Sequence, residues 1–210
     1  MPLTVKSKSE SSFELLPPGT HVARCVSCVN LGLQKAGNWD PKQKVFVGFE
    51  VPSVRVEWDD KDKKHHEGPA FIGSRYTASL SKKAILRQQL ESWRGRAFTE
   101  KQLDGFNLFD ILDKPCLISV THTDDGKYAN INAIMGLPKG TEVSDRETPL
   151  MKYDESESTA VEDFANLHEW MQKAIAAGKD LAANEQGIPA APAAVQPPMS
   201  GTDFDDDIPF

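Results

Sequence analysis

VFVGFEVPSVRVEW, residues 45–58, decides how the rest of the chain is read. Val45, Val47, Phe49 and Val51 alternate with Phe46, Gly48 and Glu50, the period of two that lays one face of a strand on a core. Past Pro52 the parity changes, and Val54, Val56 and Trp58 share a side. A proline cannot donate to a strand ladder, so Pro52 predicts a bulge or kink. On this parity Trp58 belongs to the core. Phe46 points away from Val45, Val47 and Phe49, beside Lys44.

Strands continue on both sides. HVARCVSCVNLGL (21–33) shows no helical stripe, and KAGNWDPKQ (35–43) is a turn-rich connection. DDKDKKHHEGP (59–69) reads as a charged loop and FIGSRYTASL (71–80) as a third strand. The pattern then becomes helical in SKKAILRQQLESW (81–93), where Leu86, Leu90 and Trp93 form one stripe. Ser81 is its expected N-cap and Gly95 its end. Residues 99–114 hold one or two short helical turns. PCLISVTHT (115–123) and KYANINAIMGL (127–137) are strands joined by Asp124-Asp125-Gly126, a hairpin signal. Three strands, a helix and a two-strand hairpin are the element order of an OB-fold, a five-stranded Greek-key barrel with its helix between strands 3 and 4. The class expected is mainly β with helices.

A further helix is expected over VEDFANLHEWMQKAIAAG (161–178), with Phe164, Leu167, Met171 and Ile175 on one face and Gly178 as C-cap. Residues 179–202 are rich in Ala, Pro, Gln and Gly and carry almost no bulky apolar side chains, the composition of a flexible linker. The chain thus divides into a flexible lead-in (1–18), an OB-fold domain (19–150), a helical extension (151–178), a linker (179–202) and an acidic tip (203–210).

The 210 residues carry a net charge of −7, unevenly spread. Residues 1–150 hold 21 Lys and Arg against 19 Asp and Glu, whereas residues 151–210 hold 3 against 12. A mildly basic body therefore bears an acidic tail. No apolar run approaches the ~18 residues of a membrane span, and MPLTVKSKSESS lacks the apolar stretch of a secretory signal. No membrane contact and a cytoplasmic location are expected. Cys25, Cys28 and Cys116 are too few for a disulfide scaffold and read as reduced thiols.

A binder of unpaired nucleotides needs cations for phosphates and exposed aromatics for bases. The stretch 75–101 offers Arg75, Lys82, Lys83, Arg87, Arg94, Arg96 and Lys101 against Glu91 and Glu100. With Tyr76 beside Arg75, Lys44 and Phe46 on the long strand, Trp39 in the 35–43 loop and Tyr128 on the last strand, the cations from Arg75 to Arg96 form the candidate DNA-binding set. Trp93 lies on the apolar stripe and reads as core. Lys83 and Arg87 read equally well as a solvated helix face.

The last eight residues, Asp203, Phe204, Asp205, Asp206, Asp207, Ile208, Pro209 and Phe210, set an apolar end behind an acidic run, the chemistry of a linear motif for a hydrophobic pocket rimmed by Arg or Lys. DFDDDIPF closely resembles the C-terminal tip of the bacterial single-stranded DNA-binding proteins. That resemblance implies recruitment of replication, recombination and repair proteins that recognise such tails. SKKAILRQQLESWRGRAFT and KPCLISVTHTDDGKYANINAIMGLPKG resemble a group of phage-encoded OB-fold single-strand binders, over about residues 13–175. This implies a protein acting in the host bacterial cytoplasm on single-stranded DNA, and leaves a homo-oligomer open.

Cys25-x-x-Cys28 is the one metal-like spacing, but residues three apart on a strand face opposite sides. His65 and His66 sit in the charged loop. There is no Walker A, GxSxG or HExxH motif. The expectation is no enzyme, no metal and no cofactor. Two competing classes stay open: an adaptor or decoy that uses the tip without binding DNA, and a metal-dependent nuclease with a recruiting tail.

Overall fold

The computed structural model describes residues 15–59 and 64–186. The expectations for residues 1–14, for 187–202 and for the tip lie outside them. Strand β1 (Gly19–Gln34) organises the fold. Its first part, Gly19–Arg24, pairs antiparallel with β4 (Pro115–His122), and its second part, Arg24–Gln34, pairs antiparallel with β2 (Lys42–Asp59). β3 (His65–Thr77) extends the sheet beyond β2, and β5 (Ala129–Met135) extends it beyond β4. The order is β3-β2-β1-β4-β5, with a short β6 (Met151–Tyr153) running parallel to β1 at Ser27–Val29. The expected mainly β class is present, as a six-stranded sheet that does not close.

The β2 pattern is as the alternation predicts. Val45, Val47, Phe49 and Val51 face an inner core with Cys25, Ile72, Tyr76 and Ile118, and the β2–β3 register shifts between Val51 and Arg55, where Pro52 sits. The expected 59–69 loop is shorter than predicted, because pairing resumes at Asp59↔His65. Asp124-Asp125-Gly126 makes the β4–β5 turn, with Gly126 at φ 67°.

Helix α1 (Ile85–Arg94) follows β3 and buries Leu86, Leu90 and Trp93 in the inner core. The Trp93 ring lies 5.7 Å from Phe49 and its Nε1 donates to Pro115 O at 2.9 Å, so it is core, as its stripe predicts. Ser81 is not the N-cap. Its carbonyl accepts Ala84 N in a turn, and Ala84 takes the cap position without a side-chain bond. Gly95 ends α1 in the left-handed region, as expected. Short turns follow at α2 (Glu100–Asp104), closed by a Thr99/Gln102 capping box, and at a 3-10 turn, Leu108–Ile111.

α1 also explains why the sheet can remain open. Gln89 Nε2 donates to Asn132 O at 3.1 Å, and Gln89 Oε1 accepts Ile134 N at 2.6 Å. One side-chain amide serves β5 as a neighbouring strand would. Gln89→Ala is expected to cost about 1–2 kcal/mol in a denaturant melt, by leaving one donor and one acceptor of β5 unpaired. A loss within error would show that water replaces the amide.

The chain after β5 forms a second layer on the outer face of β1 and β2. A strap over residues 136–150 crosses first. Glu50, fully buried, accepts Glu147 N at 3.0 Å and Thr148 N at 2.8 Å, while Arg24 donates to Ser144 O and Asp113 O. β6, α3 (Ala160–Ala165) and α4 (Glu169–Gln186) then build a second core, in which Val29, Leu31 and Phe46 meet Tyr153, Leu167, Met171 and Ile175. This is why Cys25 to Val29 are buried without alternation: β1 is covered on both faces.

The single helix expected over 161–178 is therefore two, divided at Asn166–His168. Gln172 Nε2 fixes the corner by donating to Phe164 O and Leu167 O. Gly178 is not a C-cap, since α4 continues to Gln186, into the stretch expected to be linker. A Cβ at Gly178 would sit 2.7 Å from Leu33 O, so the glycine lets helix and strand approach. The end of the lead-in is anchored as well: Leu16 is buried, and its carbonyl lies 2.9 Å from His122 Nε2. No described helix is long and apolar enough to cross a membrane.

Candidate nucleic-acid interface

Two aromatic candidates stand in water, Trp39 in the loop where the sequence places it and Tyr128 just ahead of β5 rather than on the strand. Trp39 is 71% exposed in the β1–β2 hairpin and Tyr128 is 52% exposed in the β4–β5 hairpin. Two others are corrected. Phe46 points away from the inner core, as expected, but is only 6% exposed because α4 covers it. Tyr76 is 7% exposed in the inner core, and burial pushes its phenol up to about 12. On β3 the outward set is Phe71, Gly73 and Arg75, so Tyr76 has the parity of the core residue Ile72.

The cations divide in the same way. Arg75, Lys82, Lys83 and Arg96 are exposed, Lys82 and Lys83 in the turn ahead of α1. Lys44 is half-buried and donates to Thr77 Oγ1 at 2.8 Å across the β2–β3 pair. Arg87 and Arg94 are tied into the fold. Arg87 Nε donates to Glu91 at 2.9 Å and its Nη1 to Leu80 O. Glu91 is held below the usual carboxylate range by the Phe98 amide and by Arg87. The Arg94 guanidinium lies 4.4 Å from the Phe98 ring centroid and donates to Gln102.

The outer face of β2–β3 carries a group that sequence reasoning missed. Three cross-strand pairs stand in a row, Phe46↔Arg75, Gly48↔Gly73 and Glu50↔Phe71. With no side chains on the middle pair, the flanking rings fold over it. A Cβ on Gly48 would sit 2.5 Å from Phe71 Cζ, and one on Gly73 would run into the Phe46 ring. Phe46 and Phe71 stack at 6.3 Å and 29°. Trp170 of α4 meets Phe46 edge-on at 5.2 Å, and the Arg75 guanidinium lies 4.8 Å from the Trp170 centroid. Phe71 is 41% and Trp170 38% exposed. The parity of β3 could have singled out Phe71. Nothing local marks Trp170, which arrives from a helix distant in sequence.

Trp58 is also corrected from core to surface. It is 39% exposed and stacks on His66 at 5.7 Å and 15°. Beyond Pro52 the β2–β3 hairpin outruns the layer that covers its earlier part, so its last side chains have nothing to pack under.

Cys25 packs in the inner core, whereas Cys28 lines a cleft of about 410 Å3 with Asn30, Gln43, Phe106 and Asp154. Burial pushes all three thiols up, Cys28 to about 12. Among the described residues, no three His, Cys, Asp or Glu side chains converge as a metal site requires. No protein-family model matches the chain, and no curated protein matches it either.

Proposed function

We propose that the protein binds single-stranded DNA without reading its sequence, on an OB-type barrel, and recruits replication, recombination and repair proteins through residues 203–210. Three features support the barrel reading: a long β1 paired to both β2 and β4, a helix between β3 and β4, and a β5 edge served by Gln89. The observation that carries the function is the set of rings left in water. Trp39, Trp58, Phe71, Tyr128 and Trp170 are each more than a third exposed. Large aromatic side chains ordinarily contribute most when buried, and a base stacked on such a ring contributes ~1–3 kcal/mol. Arg75, Lys82, Lys83 and Arg96 add exposed charge for phosphates. In this reading a phage-encoded protein coats strands in the host cytoplasm while its tail engages processing enzymes.

The test is titration of a labelled oligo-dT at two salt concentrations, beside a duplex of equal length. Binding should weaken with salt, with a log–log slope of about −0.7 per phosphate contacted, and the duplex should bind less tightly. No binding at low salt would sink the reading. Partner capture that persisted through the tip would then leave the adaptor, and metal-dependent loss of the oligonucleotide would indicate a nuclease.

A further inference from the structure

We propose that helix α4 forms one wall of the nucleic-acid site, with Trp170 and Phe71 each taking an unpaired base and Arg75 holding the phosphate between them. This rests on the single-strand reading and narrows it to one surface among several with exposed rings. The surface is built in two tiers. Phe46 is the lower tier, buried under α4 and touched by both upper rings. Phe71 and Trp170 are the upper tier, both packed against Phe46 and both more than a third exposed. Docking of α4 is already secured by Phe46, Met171 and Ile175, so the exposed ring area is surplus to packing.

The charge suits a polyanion. Arg75 stands on the same face of β3 as Phe71, two outward positions away, with its guanidinium against Trp170. A guanidinium stays charged at all working pH and offers a planar fork to phosphate oxygens. The carboxylates close by are engaged elsewhere. Glu50, opposite Phe71, is buried and gives both oxygens to the strap amides. Glu169, next to Trp170, pairs with Lys173 at 2.8 Å. Gly48 and Gly73 carry no side chains, and the Phe71 and Phe46 rings take that space, which lets them lie against the strand pair. Unpaired bases are the occupant that uses flat rings and a cation together, since in a duplex those faces are closed by stacking.

The first experiment uses the unmodified full chain. An oligo-dT carrying bromodeoxyuridine is irradiated with the protein, and the crosslinked peptides are identified by mass spectrometry. Crosslinks are expected on the peptides holding Phe71 and Trp170. Crosslinks confined to Trp39, Trp58 or Tyr128 would overturn the proposal and leave single-strand binding intact. The second compares Phe71→Ala and Trp170→Ala with wild type, with Val161→Ala on the exposed side of α3 as control. Each ring variant should bind oligo-dT roughly 5- to 100-fold more weakly while remaining folded at the binding temperature, its melting temperature lowered by the lost packing on Phe46, and V161A should match wild type in affinity. Wild-type affinity in both ring variants would refute the α4 wall alone. Absence of binding by the wild-type chain would instead remove the single-strand reading and this proposal with it.

Discussion

Phe46→Ala should lower stability by about 3–5 kcal/mol, the range for deleting a buried aromatic side chain. Phe46 is the only ring that β2 contributes to the second core among the described residues, and it touches Phe71 and Trp170 as well as the α4 packing residues. Its loss opens a void between sheet and helix that Gly48 and Gly73, having no side chains, cannot fill. The inner core, led by Phe49 and Leu90, is untouched. The loss should therefore be uneven. A urea melt gives the total, and hydrogen exchange should show α4 and β6 opening well before β2–β1–β4. Uniform loss of protection would mean that the two layers unfold as one unit. A total below about 1 kcal/mol would mean that α4 is not held by this ring.

Glu50→Gln, a change of one atom, should cost about 2–3 kcal/mol. A carboxylate offers two acceptors and no donor, and here each oxygen takes one backbone amide, from Glu147 and Thr148. A carboxamide keeps one acceptor and turns an NH2 group toward the other amide, so two donors face each other in a buried site. The strap should then lift locally. Arg146 lies within it, held by Asp113 at 3.4 Å and by the Thr148 carbonyl. Limited trypsin digestion should cut after Arg146 faster in the variant, and the urea midpoint should fall. Equal cleavage and an equal midpoint would show that the strap is held by Arg24 and Arg55 instead.

The features legible in the sequence were those written in neighbouring residues. The period of two in β2, the Pro52 irregularity, the Asp-Gly hairpin, the stripe Leu86-Leu90-Trp93 and the pair Met171-Ile175 each concern one element and its own core face. Two of the misreadings share a cause, the second layer. Phe46 has the outward parity of a surface strand residue and is buried by a helix that begins more than a hundred positions later. Gly178 has the form of a helix stop, and only the carbonyl of Leu33 reveals its purpose. Trp58 fails in the opposite sense: its parity is that of the core, but the β2–β3 hairpin has passed the inner core by that point. Tyr76 was legible, since the parity of Phe71, Gly73 and Arg75 excludes it from their face. Trp170 was not, because a tryptophan beside Met171 on an amphipathic helix has the pattern of ordinary packing.

The double service of β1 has a consequence for synthesis on the ribosome. One of its edges is satisfied early, by β2, and the β1–β2–β3 meander is complete once Thr77 has emerged. Its other edge must wait for Pro115–Val120 and then for Met151–Tyr153. At translation speeds of ~5–20 residues per second, about 40 residues of delay leave that edge open for roughly 2–8 s. An unpaired, apolar strand edge is a template for pairing with another nascent chain. Rapid production should therefore favour inclusion bodies, and slower translation between Thr77 and Pro115 should raise the yield of native protein.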